Sequence, residues 1–97
     1  MAVVYFDTSA LVKLVVEEPG SDVVAALWDR CDIAVSSRLA YPEVCAALAA
    51  AERNRRLGGE ALATCRRSWE RTWAELRPVG LTTRLAETAG RPAGRAP

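Results

Sequence analysis

Apolar residues recur along this chain in two ways, as short continuous runs and as stretches with helical spacing. The run at residues 3–6 consists of β-branched and aromatic side chains, which is typical of a buried strand. Residues 33–35 predict a second short strand that ends in Ser36 and Ser37, and residues 79–81 predict a weak third strand.

Two amphipathic helices are predicted between the first and second strands, because their apolar residues lie three and four positions apart. The first begins just after Asp7 and ends at the Glu-Glu-Pro-Gly sequence of residues 17–20. The second begins near Ser21, whose hydroxyl we expect to cap it. The apolar positions of the two helices are Leu11, Leu14, Val15, Val23, Val24, Leu27 and Trp28.

Two further helices are predicted between the second and third strands. A long one covers roughly residues 38–56 and tolerates Pro42 because that residue falls near its first turn. After the pair of glycines at residues 58–59, apolar residues at spacings of 3, 4, 4 and 3 predict a second helix. These residues are Leu62, Cys65, Trp69, Trp73 and Leu76, and we interpret the tryptophans as core residues.

This order of elements predicts an α/β fold with a parallel sheet, since helical crossovers separate the strands. A short last helix is expected from Thr82. The final sequence GRPAGRAP has no apolar period, so residues 91–97 are predicted to be a disordered tail behind a domain at residues 1–90. The tail is also typical of a GC-rich coding sequence read out of frame.

Composition narrows the class of protein. The chain has 97 residues, of which 51% are hydrophobic and 26% charged, as in one globular domain of modest stability. Its three cysteines form no CxxC pair, which argues against a disulfide framework and a zinc site and favours reduced thiols in the cytoplasm. No stretch is long and apolar enough to predict a membrane span.

Asp7 is the first candidate for chemistry, because ligands of parallel sheets bind beyond the carboxyl ends of the strands. Thr8 and Ser9 are adequate helix caps, so we expect that the acid is not needed for capping. The absence of histidine excludes Ser/His and Cys/His nucleophilic catalysis. The remaining candidate is chemistry in which carboxylates hold a hard metal ion.

Glu43 is the second candidate. It lies early in the long predicted helix and is the only charged residue between Arg38 and Glu52. Its surroundings are apolar and rich in alanine, which is unusual for a solvated helix face. Taken alone, this position is equally consistent with a functional carboxylate and with an ordinary exposed helical glutamate.

In combination, FDTSALVKL, SSRLAYPEVCAAL and VGLTTRLAETAG resemble the PIN-domain ribonucleases, and among them the VapC-type toxins of toxin–antitoxin pairs. The resemblance implies a three-layer α/β fold and hydrolysis of RNA with Mg²⁺ or Mn²⁺. It implies that Asp7 and Glu43 are the catalytic and metal-binding acids, with Thr8 and Ser9 in support. It also implies RNA as substrate and a cognate antitoxin as partner.

The chain departs from that family after its third predicted strand. The family has further aspartates there, whereas this chain has no Asp after Asp32, and the family's last strands have no counterpart. We therefore expect a truncated domain whose two acids hold a metal weakly, with weak or no ribonuclease activity. Residues 3–6 would then form an exposed edge open to homodimer formation. An antitoxin-binding fragment and a decaying gene remnant are the alternatives.

Three arginines near the end of the long helix are candidate contacts for RNA phosphates. They are Arg53, Arg55 and Arg56. A solvated helix end is the alternative, since basic residues there also complement the helix dipole.

Overall fold

A computed structural model describes residues 1–80 of the chain. In chain order its elements are β1 (Val3–Tyr5), α1 (Thr8–Val15), α2 (Ser21–Arg30), β2 (Ile33–Ser37), α3 (Ala40–Arg53), α4 (Gly59–Glu75) and β3 (Arg77–Val79). The predicted order of strands and helices is confirmed through the third strand. The predicted helix from Thr82, the boundary at residue 90 and the tail at residues 91–97 lie outside the described residues.

The three strands form one parallel sheet in the order β1-β2-β3, which confirms the predicted α/β class. Tyr5 pairs with Val35, and β3 pairs with the carboxyl half of β2. β3 begins two residues before the predicted start, because Leu76 already leaves α4 in an extended conformation. Pro78 within β3 lacks a backbone donor, which is tolerated at the edge of the described sheet.

The two faces of the sheet differ in burial. Val4 and Phe6 point toward the helices, whereas Val3 and Tyr5 are 59% and 57% exposed on the other face. The prediction of a buried first strand is therefore wrong for Val3 and Tyr5, because residues 1–80 place helices against one face only. The further helical layer implied by a three-layer fold is not found within that range.

The core lies between the sheet and helices α1, α3 and α4. Trp69 is 1% exposed, and its ring packs 5.8 Å from Tyr41 and 5.7 Å from Trp73, measured between ring centroids. This confirms Trp69 as a core residue, while Trp73 is half-buried at its margin. The other buried apolar side chains larger than alanine are Phe6, Leu11, Val15, Val44, Leu48, Leu62 and Leu76.

The start of α2 differs from the prediction. Gly20, with φ of 93°, is the N-cap residue, and Ser21 is already helical. The Ser21 hydroxyl accepts a hydrogen bond from the Glu18 amide at 3.0 Å and donates one to the Val16 carbonyl at 3.1 Å. Ser21 therefore stabilises the turn between α1 and α2, and the prediction that it caps α2 is wrong.

The end of α3 also differs. Pro42 occupies the first turn as predicted, where its missing N–H has no partner to lose. The helix stops at Arg53 and Asn54 caps it, so Arg55 and Arg56 lie beyond the helix.

Within residues 1–80, no helix combines the length and apolarity needed to cross a membrane.

Candidate functional site

Asp7 lies between the end of β1 and the start of α1. Its backbone is extended (φ −79°, ψ 175°), and its Oδ1 accepts hydrogen bonds from the Ala10 amide at 2.9 Å and the Ser9 hydroxyl at 3.2 Å. Asp7 is therefore the N-cap of α1, and the prediction that Thr8 or Ser9 serves as cap is wrong. A cap precedes the first helical residue, and α1 already includes Thr8.

Glu43 lies in the first turn of α3 and is exposed. Its Oε1 accepts a hydrogen bond from the Thr8 hydroxyl, across a sequence separation of 35 residues. The crossover through β2 thus brings the second predicted acid against the helix that Asp7 caps. The two neighbouring hydroxyls therefore bind different acids: the Ser9 hydroxyl donates to Asp7, and the Thr8 hydroxyl donates to Glu43.

Ser36 and Ser37, at the end of β2, make further polar contacts beside the site. The Ser36 hydroxyl donates to the Phe6 carbonyl at 2.7 Å, and the Ser37 hydroxyl accepts from the Leu39 amide at 3.0 Å, just before α3. Neither serine is among the site residues predicted from the sequence. Ser36 occupies an inward position of the central strand, and a polar residue at such a position was the available signal.

The donor set at this edge of the sheet fits a hard cation that keeps part of its water shell. Asp7 caps α1 and Glu43 lies in the first turn of α3, and both carboxylates are exposed. Carboxylate oxygen is the ligand that Mg²⁺ and Mn²⁺ prefer. The hydrogen bonds of Asp7 within residues 1–80 use Oδ1. In the same range, no group of three or more acidic, cysteine or histidine side chains is placed to hold a metal.

Tyr41 lies two residues before Glu43, but its hydroxyl is bound to a different acid. It donates a hydrogen bond to the Glu70 carboxylate, which, together with burial, raises the pKa of Tyr41 to about 12. This hydrogen bond connects α3 to α4.

The arginines predicted to contact RNA lie at the far end of α3. Arg53 follows Glu43 by ten positions, which corresponds to about 15 Å along a helix. Arg53, Arg55 and Arg56 are all exposed. The structure therefore does not bring them beside the two acids.

A protein-family model matches nearly the whole chain. The family model of the PIN domain matches residues 4–96. The chain belongs to the PIN domain family. This confirms the resemblance found in the sequence, and the parallel α/β sheet agrees with it.

Two curated relatives are similar to this chain over most of its length. They are "Ribonuclease VapC45" from Mycobacterium tuberculosis strain CDC 1551 / Oshkosh and "Ribonuclease VapC49" from strain ATCC 25618 / H37Rv. Each is 58% identical over 90 residues, which cover 93% of this chain and 62% of the relative. The chain therefore spans less than two thirds of their length. No solved structure gives a significant match.

Proposed function

We propose that this chain supplies Asp7 and Glu43 to the metal centre of a VapC-type endoribonuclease. The observation that carries the proposal is the hydrogen bond from Thr8 to Glu43, which joins the second acid to the helix capped by the first. The identity of 58% to two ribonucleases supports the same activity class.

The cofactor proposed for this site is Mg²⁺ or Mn²⁺. When bound, such an ion polarises phosphate oxygens and makes a bound water more acidic. The chain's own residues orient the ligands, since Ser9 bonds the Asp7 carboxylate and Thr8 bonds the Glu43 carboxylate. Two carboxylates give Mg²⁺ little in exchange for its hydration water. We therefore expect this chain alone to bind metal weakly and to cleave RNA slowly.

RNA and a cognate antitoxin are the proposed partners, and the cytoplasm is the proposed compartment. The free thiols of the chain are consistent with a reducing compartment. Arg53, Arg55 and Arg56 are accessible for contacts with RNA phosphates away from the two acids.

A second candidate function is antitoxin binding without cleavage. Val23 and Leu27 lie four residues apart on α2 and are 61% and 47% exposed, which leaves an apolar stripe on that helix. Amphipathic segments bind such helical surfaces through apolar contacts. A decaying gene remnant, the third alternative, would show neither binding nor cleavage.

Cleavage of structured RNA in Mn²⁺ or Mg²⁺ tests the first function. We expect slow cleavage by the chain, loss of it in Asp7→Asn and Glu43→Gln, and retention in Asp29→Asn, which removes an exposed acid on α2 outside the site. Cleavage that persists in Asp7→Asn would contradict the assignment. Binding of the neighbouring gene product without any metal-dependent cleavage would favour the second function.

A further inference from the structure

Ser36 is a fully buried polar residue at the centre of the sheet. It is 0% exposed, and its hydroxyl donates a hydrogen bond of 2.7 Å to the carbonyl of Phe6. That carbonyl lies one residue beyond Tyr5, the last β1 residue paired with β2. The hydroxyl thus extends the contact between the two strands to the residue that precedes Asp7.

The Phe6 carbonyl and the Asp7 nitrogen belong to one peptide group, which is planar and moves as a unit. The amide of Phe6 is held as well, through a 2.9 Å hydrogen bond to the Val35 carbonyl. Fixing both polar groups of Phe6 sets the direction in which the chain enters Asp7. In the interior, losing the Ser36 hydroxyl would leave the Phe6 carbonyl without this donor.

We propose that Ser36 is a positioning residue for the metal site: its buried hydroxyl holds the Phe6–Asp7 peptide so that the Asp7 carboxylate faces the position of the cation. This inference rests on the proposed function, in which Asp7 is a metal ligand. In this proposal Ser36 acts only through the Phe6–Asp7 peptide and contacts neither metal nor substrate.

The chain offers a matched control in Ser21. Ser21 is also buried, at 6% exposure, and its hydroxyl also donates to a backbone carbonyl, that of Val16. It is the first residue of α2 and also accepts from the Glu18 amide, so its loss removes at least as much backbone hydrogen bonding without touching the entry to Asp7.

The first measurement is Mn²⁺ binding, followed by paramagnetic broadening of amide signals at Asp7, Thr8 and Glu43 in the whole chain. We expect Ser36→Ala to weaken Mn²⁺ binding by about tenfold, the lower end of what loss of an outer-shell partner costs. Ser21→Ala should leave it unchanged. Wild-type affinity in Ser36→Ala, or equal weakening in Ser21→Ala, would overturn the proposal.

The second measurement is hydrogen exchange at the Ala10 amide, which Asp7 Oδ1 protects. Relative to the Trp69 amide as a probe of global unfolding, we expect Ser36→Ala to raise Ala10 exchange by about tenfold and Ser21→Ala to leave the ratio unchanged. If the wild-type chain shows no Mn²⁺ broadening, the metal assignment fails, and this ratio alone decides the role of Ser36. An unchanged ratio then overturns it.

If Ser36→Ala does not fold, Ser36→Cys replaces it, because a thiol fills similar space but is a weak donor. Ser21→Cys is then the control. The Mn²⁺ affinity and the ratio of Ala10 to Trp69 amide exchange are compared with the wild type as before. Wild-type behaviour of Ser36→Cys in both measurements would overturn the proposal.

Discussion

The Thr8 hydroxyl donates a hydrogen bond to the Glu43 carboxylate and thereby connects the first turn of α1 to the first turn of α3. Both helices start beyond the carboxyl ends of adjacent parallel strands, β1 and β2, so their first turns lie at one edge of the sheet. This contact decides how the second acid is oriented relative to the first.

Thr8→Val should show whether the orientation of the Glu43 carboxylate matters for metal binding, because it leaves Glu43 in place and removes only its hydrogen-bond partner. Valine keeps the branched shape of threonine but has no hydroxyl, so the Glu43 carboxylate loses its partner. We expect Mn²⁺ affinity to fall by about tenfold, as for other outer-shell contacts. Titration calorimetry measures this. Thr8→Ser, which keeps the hydroxyl, is the control and should bind like the wild type. Equal affinity of Thr8→Val and wild type would refute the role.

Two substitutions of Asp7 should distinguish its capping of α1, which stabilises the fold, from its negative charge, which is proposed to bind the metal. Asp7→Ala removes the hydrogen bond to the Ala10 amide and should cost about 1 kcal/mol of unfolding free energy. Asp7→Asn keeps a capping oxygen but loses the negative charge, so it should remain close to wild type in stability and lose metal binding. Urea denaturation and Mn²⁺ titration test the two effects. An Asp7→Asn variant that is as unstable as Asp7→Ala would contradict the separation.

The outer edge of β1 should support self-association. β1 pairs only with β2 in the described sheet, and Val3 and Tyr5 are largely exposed. Open apolar edges pair with other chains, so we expect concentration-dependent dimers in sedimentation velocity. Val3→Lys should shift the chain toward monomer, because edge lysines oppose pairing. Val23→Lys, an equally exposed valine on α2, should not. A wild type that stays monomeric at every concentration would disprove this.

Trp69 should be the most sensitive of the tryptophans. It is 1% exposed and contacts Tyr41 and Trp73, so Trp69→Ala should cost about 3–5 kcal/mol and unfold much of this small domain. Trp73→Ala, at a half-buried site on the same helix, should cost less. Circular dichroism during urea titration compares the two. The reverse ranking would show that the core is centred elsewhere.

The bond between Tyr41 and Glu70 should make stability fall at alkaline pH. The pKa of Tyr41 is raised from 10.0 to about 12, first by this hydrogen bond. Because the folded state holds the proton more tightly, the contribution is complete below pH 10 and is lost as pH rises through about 12. We expect the stability of the wild type to fall more steeply over this range than that of Tyr41→Phe.

Phenolate absorbance gives an independent check on Tyr41. Glu70→Gln should bring the pKa of Tyr41 back toward its ordinary value, because the charged acceptor that favours the protonated phenol is gone. An unchanged titration in Glu70→Gln would show that the hydrogen bond is not the cause.

The periodicity of apolar residues was sufficient to predict which segments are strands and which are helices. The continuous apolar runs form β1 and β2, and Leu62 and Trp69 lie on the buried face of α4. The order of these elements predicts a parallel sheet, because a helical crossover lets the next strand run in the same direction as the previous one. The position of Asp7 after a strand and of Glu43 early in a helix also made them candidates without a structure.

Helix and strand ends could not be predicted as well. Asp7, and not Thr8 or Ser9, caps α1, and Gly20, and not Ser21, caps α2. Several residues in each segment were chemically suitable as caps. The backbone angle at the boundary, which is set by how the helices pack, selected among them.

The sequence by itself determined the parallel α/β class, since this depends on local patterns and their order. Its motifs also carried the resemblance to the PIN family and made Asp7 and Glu43 the candidate acids. Only the tertiary structure decided that Thr8 bonds Glu43 and that Ser36 bonds the Phe6 carbonyl. Each of these depends on which side chains meet across segments distant in the sequence. These contacts are fixed by the register of β1 against β2, which no local pattern contains.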